Sequence, residues 1–441
     1  MYSAKRKLFF VILMLLGATA GNAQVKRPPT SRPNIIIILA DDLGYGDLAC
    51  YGNTTHRTPH IDRLAREGIR FLDFHSNGVV CSPTRASLLT GKYPQSTGIT
   101  GVITAKDHRD TGLDLSEVLI PEILKGNKYR TGMVGKWHLG YDTAYSPVRQ
   151  GFDTFRGYVS GNVDYISHYD QENYFDWWAN TEKSDEKGYT TDLITEHALS
   201  FIDQNHSQPF FLYVAHEAPH YPLQVRDSKP ERNGDPNYKA TPVTDKKRVY
   251  GEMIEIMDEG VGRIMAALEQ YQITENTLVL FISDNGANET GSNAPYKGYK
   301  AQVWEGGHRV PAVSYWKGVI ASRTSNELLL TMDVFPTVAE LTGTKIPDGV
   351  RLEGVSFSNS LFGKKNVQPE RPVFWAFKNA AAVRKGQWKL VRIKGQHTLY
   401  NLDQDPEESR NVMSDFPTEA KILMDLLSQW EKEKSAITAK S

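Results

Sequence analysis

Asn34-Ile-Ile-Ile-Ile-Leu39 is the feature that most constrains this chain. A strand with one wet face alternates apolar and polar residues. An unbroken β-branched run instead belongs to a strand buried on both faces. Similar short runs lie at 129–134, 209–215 and 277–283, with helical patterns between them. Thr58-Pro59 reads as a helix start, Ile61, Leu64 and Ala65 share one face, and Gly68 closes it. Thr190 to Gln204 and Tyr250 to Leu268 carry amphipathic helix patterns. The alternation predicts an α/β fold, a mostly parallel central sheet flanked by helices. From about residue 345 the pattern changes to short strands at 373–377, 381–384, 388–393 and 398–401, then a helix near 419–432. A smaller C-terminal antiparallel-sheet subdomain is the expectation there.

The first residues have the layout of a secretory signal peptide. Lys5, Arg6 and Lys7 precede the apolar run Leu8 to Leu16, and small residues follow up to Ala23. The run is shorter than the roughly 20 apolar residues a spanning helix needs. Cleavage after Ala20 or Ala23 would give a secreted or periplasmic protein, and no other stretch predicts a membrane span. The predicted division is a signal peptide over 1–23, a catalytic α/β domain over 24–345 and the subdomain over 346–441. Lys and Arg number 51 against 52 Asp and Glu. That balance leaves no electrostatic footprint for a nucleic-acid partner. Two cysteines cannot build a disulfide framework.

Polar residues gather where the predicted strands end. Asp41-Asp42 follow the first strand, Lys136 and His138 the strand at 129–134, His216 and His220 the strand at 209–215, and Asp284-Asn285 the strand at 277–283. Open α/β sheets bind ligands outside the carboxyl ends of their strands. Asp41, Asp42, Asp284 and Asn285 are hard oxygen donors, which select Ca²⁺ or Mg²⁺ over zinc. Arg85, Lys136, His138, His220 and Lys300 form a basic set beside them. Cations next to a metal suit a bound oxyanion, so a sulfate or phosphate ester is the expected substrate. Cys81 precedes Pro83, a residue suited to a helix first turn, and Gly91 ends that helix. Cys81 is thereby placed at a helix N-terminus, where free N–H groups favour an anion.

Cys81-Ser-Pro83-Thr-Arg85, with its Leu88-Leu-Thr-Gly91 tail, resembles the Cys-x-Pro-x-Arg signature of the type I sulfatases of the alkaline phosphatase-like superfamily. Gly135-Lys136-Trp137-His138 resembles their second signature. Further similar stretches run in order from Ala40-Asp41-Asp42-Leu43-Gly44 through Ala218-Pro219-His220 and Ser283-Asp284-Asn285-Gly286 to Leu399–Pro406. The resemblance implies that a formylglycine-generating maturation enzyme converts Cys81 to Cα-formylglycine, whose hydrate is the nucleophile. It also implies a Ca²⁺ held by Asp41, Asp42, Asp284, Asn285 and the modified Cys81. Arg85 would hold the hydrate, Lys136, His220 and Lys300 would bind sulfate oxygens, and Lys300 or His220 would protonate the leaving oxygen. His138 would take the proton whose loss releases sulfate. One stretch departs from the pattern: Lys297-Gly-Tyr299-Lys300-Ala301 stands where many members have Arg-Gly-Gly-Lys-Gly.

The segment 157–180 sets aromatics beside polar donors, a composition typical of sugar-binding surfaces. It resembles sulfatases acting on galactose or N-acetylgalactosamine sulfates, and also the arylsulfatase A-like group. His168, Trp177 and Trp178 are the substrate-binding candidates there, with Lys378 and Asn379 from the small subdomain. The expected substrate is a sulfated carbohydrate. Two other readings stay open: a formylglycine-dependent phosphodiester or phosphonate hydrolase on the same fold, and a non-catalytic sulfated-glycan-binding protein.

Overall fold

A computed structural model describes residues 32–364 and 370–438. The expected signal peptide lies outside them. Among the described residues no helix is long and apolar enough to cross a membrane.

The Asn34–Ala40 strand lies inside a ten-stranded sheet, paired in parallel with Phe210–Ala215 on one side and Thr277–Ser283 on the other. Arg130–Lys136 and Thr154–Tyr158 continue the parallel part beyond Phe210–Ala215. Past Thr277–Ser283 the sheet turns antiparallel, through Ala312–Tyr315. The first strand shows why its sequence does not alternate. Ile35, Ile37 and Leu39 join the apolar cluster on one face, and Ile36, Ile38 and Ala40 join that on the other. Successive side chains point to opposite faces, and helices cover both. One cover is the long helix Lys246–Gln270, which buries Met253, Ile254, Met257, Val261 and Ile264.

The strand expected at 129–134 runs on to Lys136, because Gly135 lets two backbones close in. A Cβ at Gly135 would lie 1.9 Å from the Ala215 carbonyl oxygen, and its φ is 95°. Lys136 is therefore the last residue of the strand, held rigidly at its carboxyl end.

The chain then forms a four-stranded antiparallel meander, Val373–Phe377, Ala380–Lys385, Trp388–Ile393 and Gln396–Asn401. The helix Pro417–Thr438 buries Leu423, Leu427 and Trp430 with this sheet. The α/β sheet and the smaller antiparallel sheet expected from the sequence are thus present.

The two sheets meet across buried charges. Arg384 donates from both terminal nitrogens to Asp73, each bond 2.8 Å long. Lys389 sits 2.9 Å from both Glu305 and Glu408. Between them, His75 Nε2 donates to Asp73 at 2.8 Å, which leaves its Nδ1 to accept from His308 Nδ1 at 2.9 Å. His308 Nε2 lies 3.1 Å from Lys389 Nζ and 3.3 Å from the Val303 carbonyl oxygen. Burial lowers the proton affinity of both imidazoles.

Two stability outcomes follow. Ile37→Ala, at a fully buried position, should lower unfolding free energy by about 2–5 kcal/mol in denaturant titration. A loss below about 1 kcal/mol would contradict its place in a closed core. Lys389→Met should cost about 3–5 kcal/mol, because Glu408 would lose its buried cation beside Glu305, which Arg309 still pairs.

Candidate active site

The parallel pairing sets the strand ends side by side. Ala40 is level with Ser283, and Leu39 and Gly135 are both level with Ala215. The residues just beyond them, Asp41, Asp42, Asp284 and Asn285, are all buried. Asp42 adopts φ 62°. Its N–H donates to Asp284 Oδ1 at 3.2 Å, and Asn285 Nδ2 donates to Asp42 Oδ1 at 2.8 Å.

Cys81 is the first residue of the helix Cys81–Thr90, which ends at Gly91 in a left-handed turn with φ 70°. Every residue of this helix is buried. Cys81 Sγ lies 3.4 Å from Asp41 Oδ1. Burial, and then the Asp41 charge, push its thiol up to about 12. One helical turn on, Arg85 shares the Cys81 face. It donates to the Lys136 carbonyl at 2.8 Å and to Asp284 Oδ2 at 3.1 Å, with Asp41 Oδ2 at 3.5 Å.

Lys136 is ion-paired with Asp41 through its Nζ. Lys300 reaches Asp42 Oδ1 at 2.6 Å. Burial alone would raise the Asp41 proton affinity, but Lys136, His220, Arg85 and Lys300 together hold it well below the usual carboxylate range. Asp284 goes the other way, pushed up to about 7 by burial and by the charge on Asp41.

The histidines are held in defined tautomers. His138 Nε2 donates to the Ile103 carbonyl at 2.8 Å, and its buried Nδ1 has no hydrogen-bond partner. Burial, followed by Lys136 and Arg85, keeps this ring neutral by drawing its pKa well down. His220 Nδ1 donates to the Tyr221 carbonyl at 2.6 Å, which turns Nε2 toward Asp42 at 3.7 Å. Burial and Lys300 lower its pKa to about 4.

The donor set suits a hard cation. Asp42 Oδ2 and Asn285 Oδ1 are buried oxygens with no hydrogen-bond partner. Asp41, Asp42, Cys81 and His220 can bring one ligand atom each within 4.8 Å of one another. Unpartnered buried oxygens beside a carboxyl group pushed up to about 7 are what a divalent cation would satisfy.

The structure brings Asp41, Asp42, Cys81, Arg85, Lys136, His138, His220, Asp284, Asn285 and Lys300 into this region. His216 is buried with neither ring nitrogen hydrogen-bonded, and burial lowers its pKa to about 4. The sugar-binding candidates are placed differently from the expectation. His168 and Trp177 are core residues, 1% and 0% exposed, with rings stacked at 4.7 Å. Trp177 spends its indole N–H on Glu186. Trp178 is half-buried under the Lys183 ammonium, 3.7 Å away. Lys378 and Asn379 form the tight turn between two strands of the small sheet. None of the five lines the cavity at Lys300, which instead takes Tyr221 and Tyr299. No feature of the local sequence marks the Ile103 carbonyl that orients His138.

Residues 33–344 match the sulfatase family, and residues 298–436 match the C-terminal family of N-sulphoglucosamine sulphohydrolase. The arylsulfatase of Hemicentrotus pulcherrimus is 34% identical over 391 residues, covering 82% of this chain and 68% of that one. The N-acetylgalactosamine-6-sulfatase of Mus musculus is 34% identical over 410 residues, covering 86% of this chain and 74% of its own length. Among solved structures, Ps i-CgsB in complex with k-i-k-neocarrahexaose is 31% identical with a TM-score of 0.83, covering 91% of this chain and 93% of the other. A match that runs through the whole parallel sheet, in a chain whose strand ends converge on Cys81, makes this protein a member of the sulfatase family of sulfuric ester hydrolases.

Proposed function

We propose that this enzyme hydrolyses sulfate esters of carbohydrates, of the galactose or N-acetylgalactosamine type, at residue 81 after its conversion to Cα-formylglycine. The observation that carries the reading is Cys81 itself. It opens a fully buried helix 3.4 Å from Asp41, beside Lys136 and Lys300. A thiol pushed up to about 12 stays neutral at physiological pH and is a poor nucleophile. The formylglycine hydrate would supply an oxygen nucleophile there, and Ca²⁺ would neutralise charge on the ester oxygens. Asp41, Asp42, Asp284, Asn285 and the modified residue 81 would hold that ion. The names of the relatives support a sulfated sugar as substrate.

The other residues have separable tasks. Arg85 is locked between Asp284 and the Lys136 carbonyl, and so fixes the helix start against the strand ends. Lys136 and Lys300 carry the ammonium groups that take sulfate oxygens. Lys300 also lines the cavity, so its N–H lies on the side from which the alcohol leaves. Lys300 would protonate that leaving oxygen, or His220 would once a bound anion has drawn a proton onto its Nε2. His138, with Nε2–H spent on Ile103, offers the Nδ1 lone pair as a base. Cys81 is 2% exposed, so a maturation enzyme must reach it before the chain folds. The expected signal peptide would carry the protein to the periplasm or the exterior.

Cys81→Ala should abolish sulfate-ester turnover while stability moves by only about 1–2 kcal/mol. In active protein the peptide holding residue 81 should be lighter by the difference between H₂S lost and one oxygen gained. Full turnover by the alanine variant, or by protein with an intact thiol, would end this reading. A parallel panel of phosphodiesters and phosphonate esters should be turned over more slowly than sugar sulfates.

Prolonged chelation should lower both activity and melting temperature, and calcium should restore them, because an ion bound only by the native state stabilises it. Stoichiometric zinc in elemental analysis would contradict the oxygen-donor site. His138→Ala should lower kcat by about 10²–10⁴-fold without loss of calcium.

A further inference from the structure

The loop Lys297–Ala301 is pinned on either side of Tyr299 and Lys300. Gly298 has φ 91°, and a Cβ there would lie 2.7 Å from the Trp304 Cβ. Lys300 N–H donates to the Ala287 carbonyl at 3.0 Å, and Ala301 N–H to the Val79 carbonyl at 2.8 Å. Ala301 is held at φ 68°, a conformation that costs a residue with a Cβ. The loop therefore presents its side chains from a fixed backbone.

Tyr299 is 41% exposed and Tyr221 is 47% exposed. Each is the sequence neighbour of a group assigned to sulfate, Tyr299 of Lys300 and Tyr221 of His220. The Tyr221 ring stacks on His220 with centroids 4.4 Å apart. Both tyrosines line one cavity of about 720 Å³ that Lys300 also lines. A cleft of that size accommodates a small sugar rather than a bare anion. Besides Lys300, its charged lining residues are Glu231, Glu289 and Lys246, with Arg232 beside Glu231. Lys300 is committed to Asp42 and the sulfate, so carboxylates outnumber free cations among the remaining lining residues.

We infer that Tyr221 and Tyr299 bind the sugar ring that bears the sulfate, and that Glu231 and Glu289 restrict it to a ring without a second negative charge. The inference rests on the sulfatase reading and specifies its substrate. A pyranose offers an apolar C–H face to an aromatic ring and hydroxyls to polar neighbours. A uronate or a second sulfate would instead meet two like charges in the outer wall.

The test compares wild type, Tyr299→Ala and the double variant Glu231→Gln with Glu289→Gln. Substrates are a panel of neutral hexose monosulfates and the same hexoses carrying a second sulfate, with inhibition by inorganic sulfate measured alongside. Tyr299→Ala should raise KM for the monosulfates about tenfold, the loss of one stacked face. Inhibition by inorganic sulfate should stay unchanged, because Lys136, His220 and Lys300 remain. The double variant should improve the disulfated-to-monosulfated ratio of kcat/KM about fivefold. Unchanged kinetics for Tyr299→Ala, or parallel loss of sulfate inhibition, would overturn the aromatic site. An unchanged ratio in the double variant would overturn the charge filter. A wild type inert toward every sulfate ester would overturn the sulfatase reading, and this inference with it.

Discussion

Burying carboxylates without partners is ruinous, and at the ends of the central strands this protein buries three of them within a few ångströms. Asp41, Asp42 and Asp284 are tolerable only because Arg85, Lys136 and Lys300 answer them. Removing a partner from such a group leaves an uncompensated charge, which costs far more than an exposed ion pair is worth. The same constraint positions the chemistry. Arg85 cannot bridge Asp284 and the Lys136 carbonyl unless the Cys81–Thr90 helix points its first residue at the strand ends. Residue 81 is held by electrostatics as much as by packing.

The balance is also poised to change. Lys136 and Lys300 are drawn onto Asp41 and Asp42, while Asp42 Oδ2 and Asn285 Oδ1 lack hydrogen-bond partners. Asp41, Asp42, Asp284 and Asn285 would hold a hard cation there, which would supply positive charge beside the two ammonium groups.

The small antiparallel sheet contributes to this site indirectly. Lys389 meets Glu305 and Glu408 in the buried interface, and Lys297 Nζ donates to the Glu408 carbonyl at 3.0 Å. Lys297 also lies over Trp304 at 3.9 Å. The loop that carries Tyr299 and Lys300 is thus anchored at its base by residues from the C-terminal part of the chain. Its placement at the mouth is a property of both sheets together.

The strands, the helix that Cys81 opens and both acidic pairs could be read from the amino-acid order, because each rests on local rules. A doubly buried strand needs an unbroken apolar run, a helix start tolerates Pro83, a left-handed stop takes Gly91, and ligands gather at strand carboxyl ends. The aromatics could not be sorted that way. Trp177, in a stretch that looks like a sugar platform, is 0% exposed, whereas Tyr221 and Tyr299, in stretches dominated by Pro, Gly and Lys, face the cavity. Whether a ring is core or surface depends on which distant helix or strand covers it. That was settled by the ten-stranded order, in which segments far apart in sequence become neighbours. Composition set which groups were available for chemistry; only long-range packing decided which of them line the cavity at Lys300.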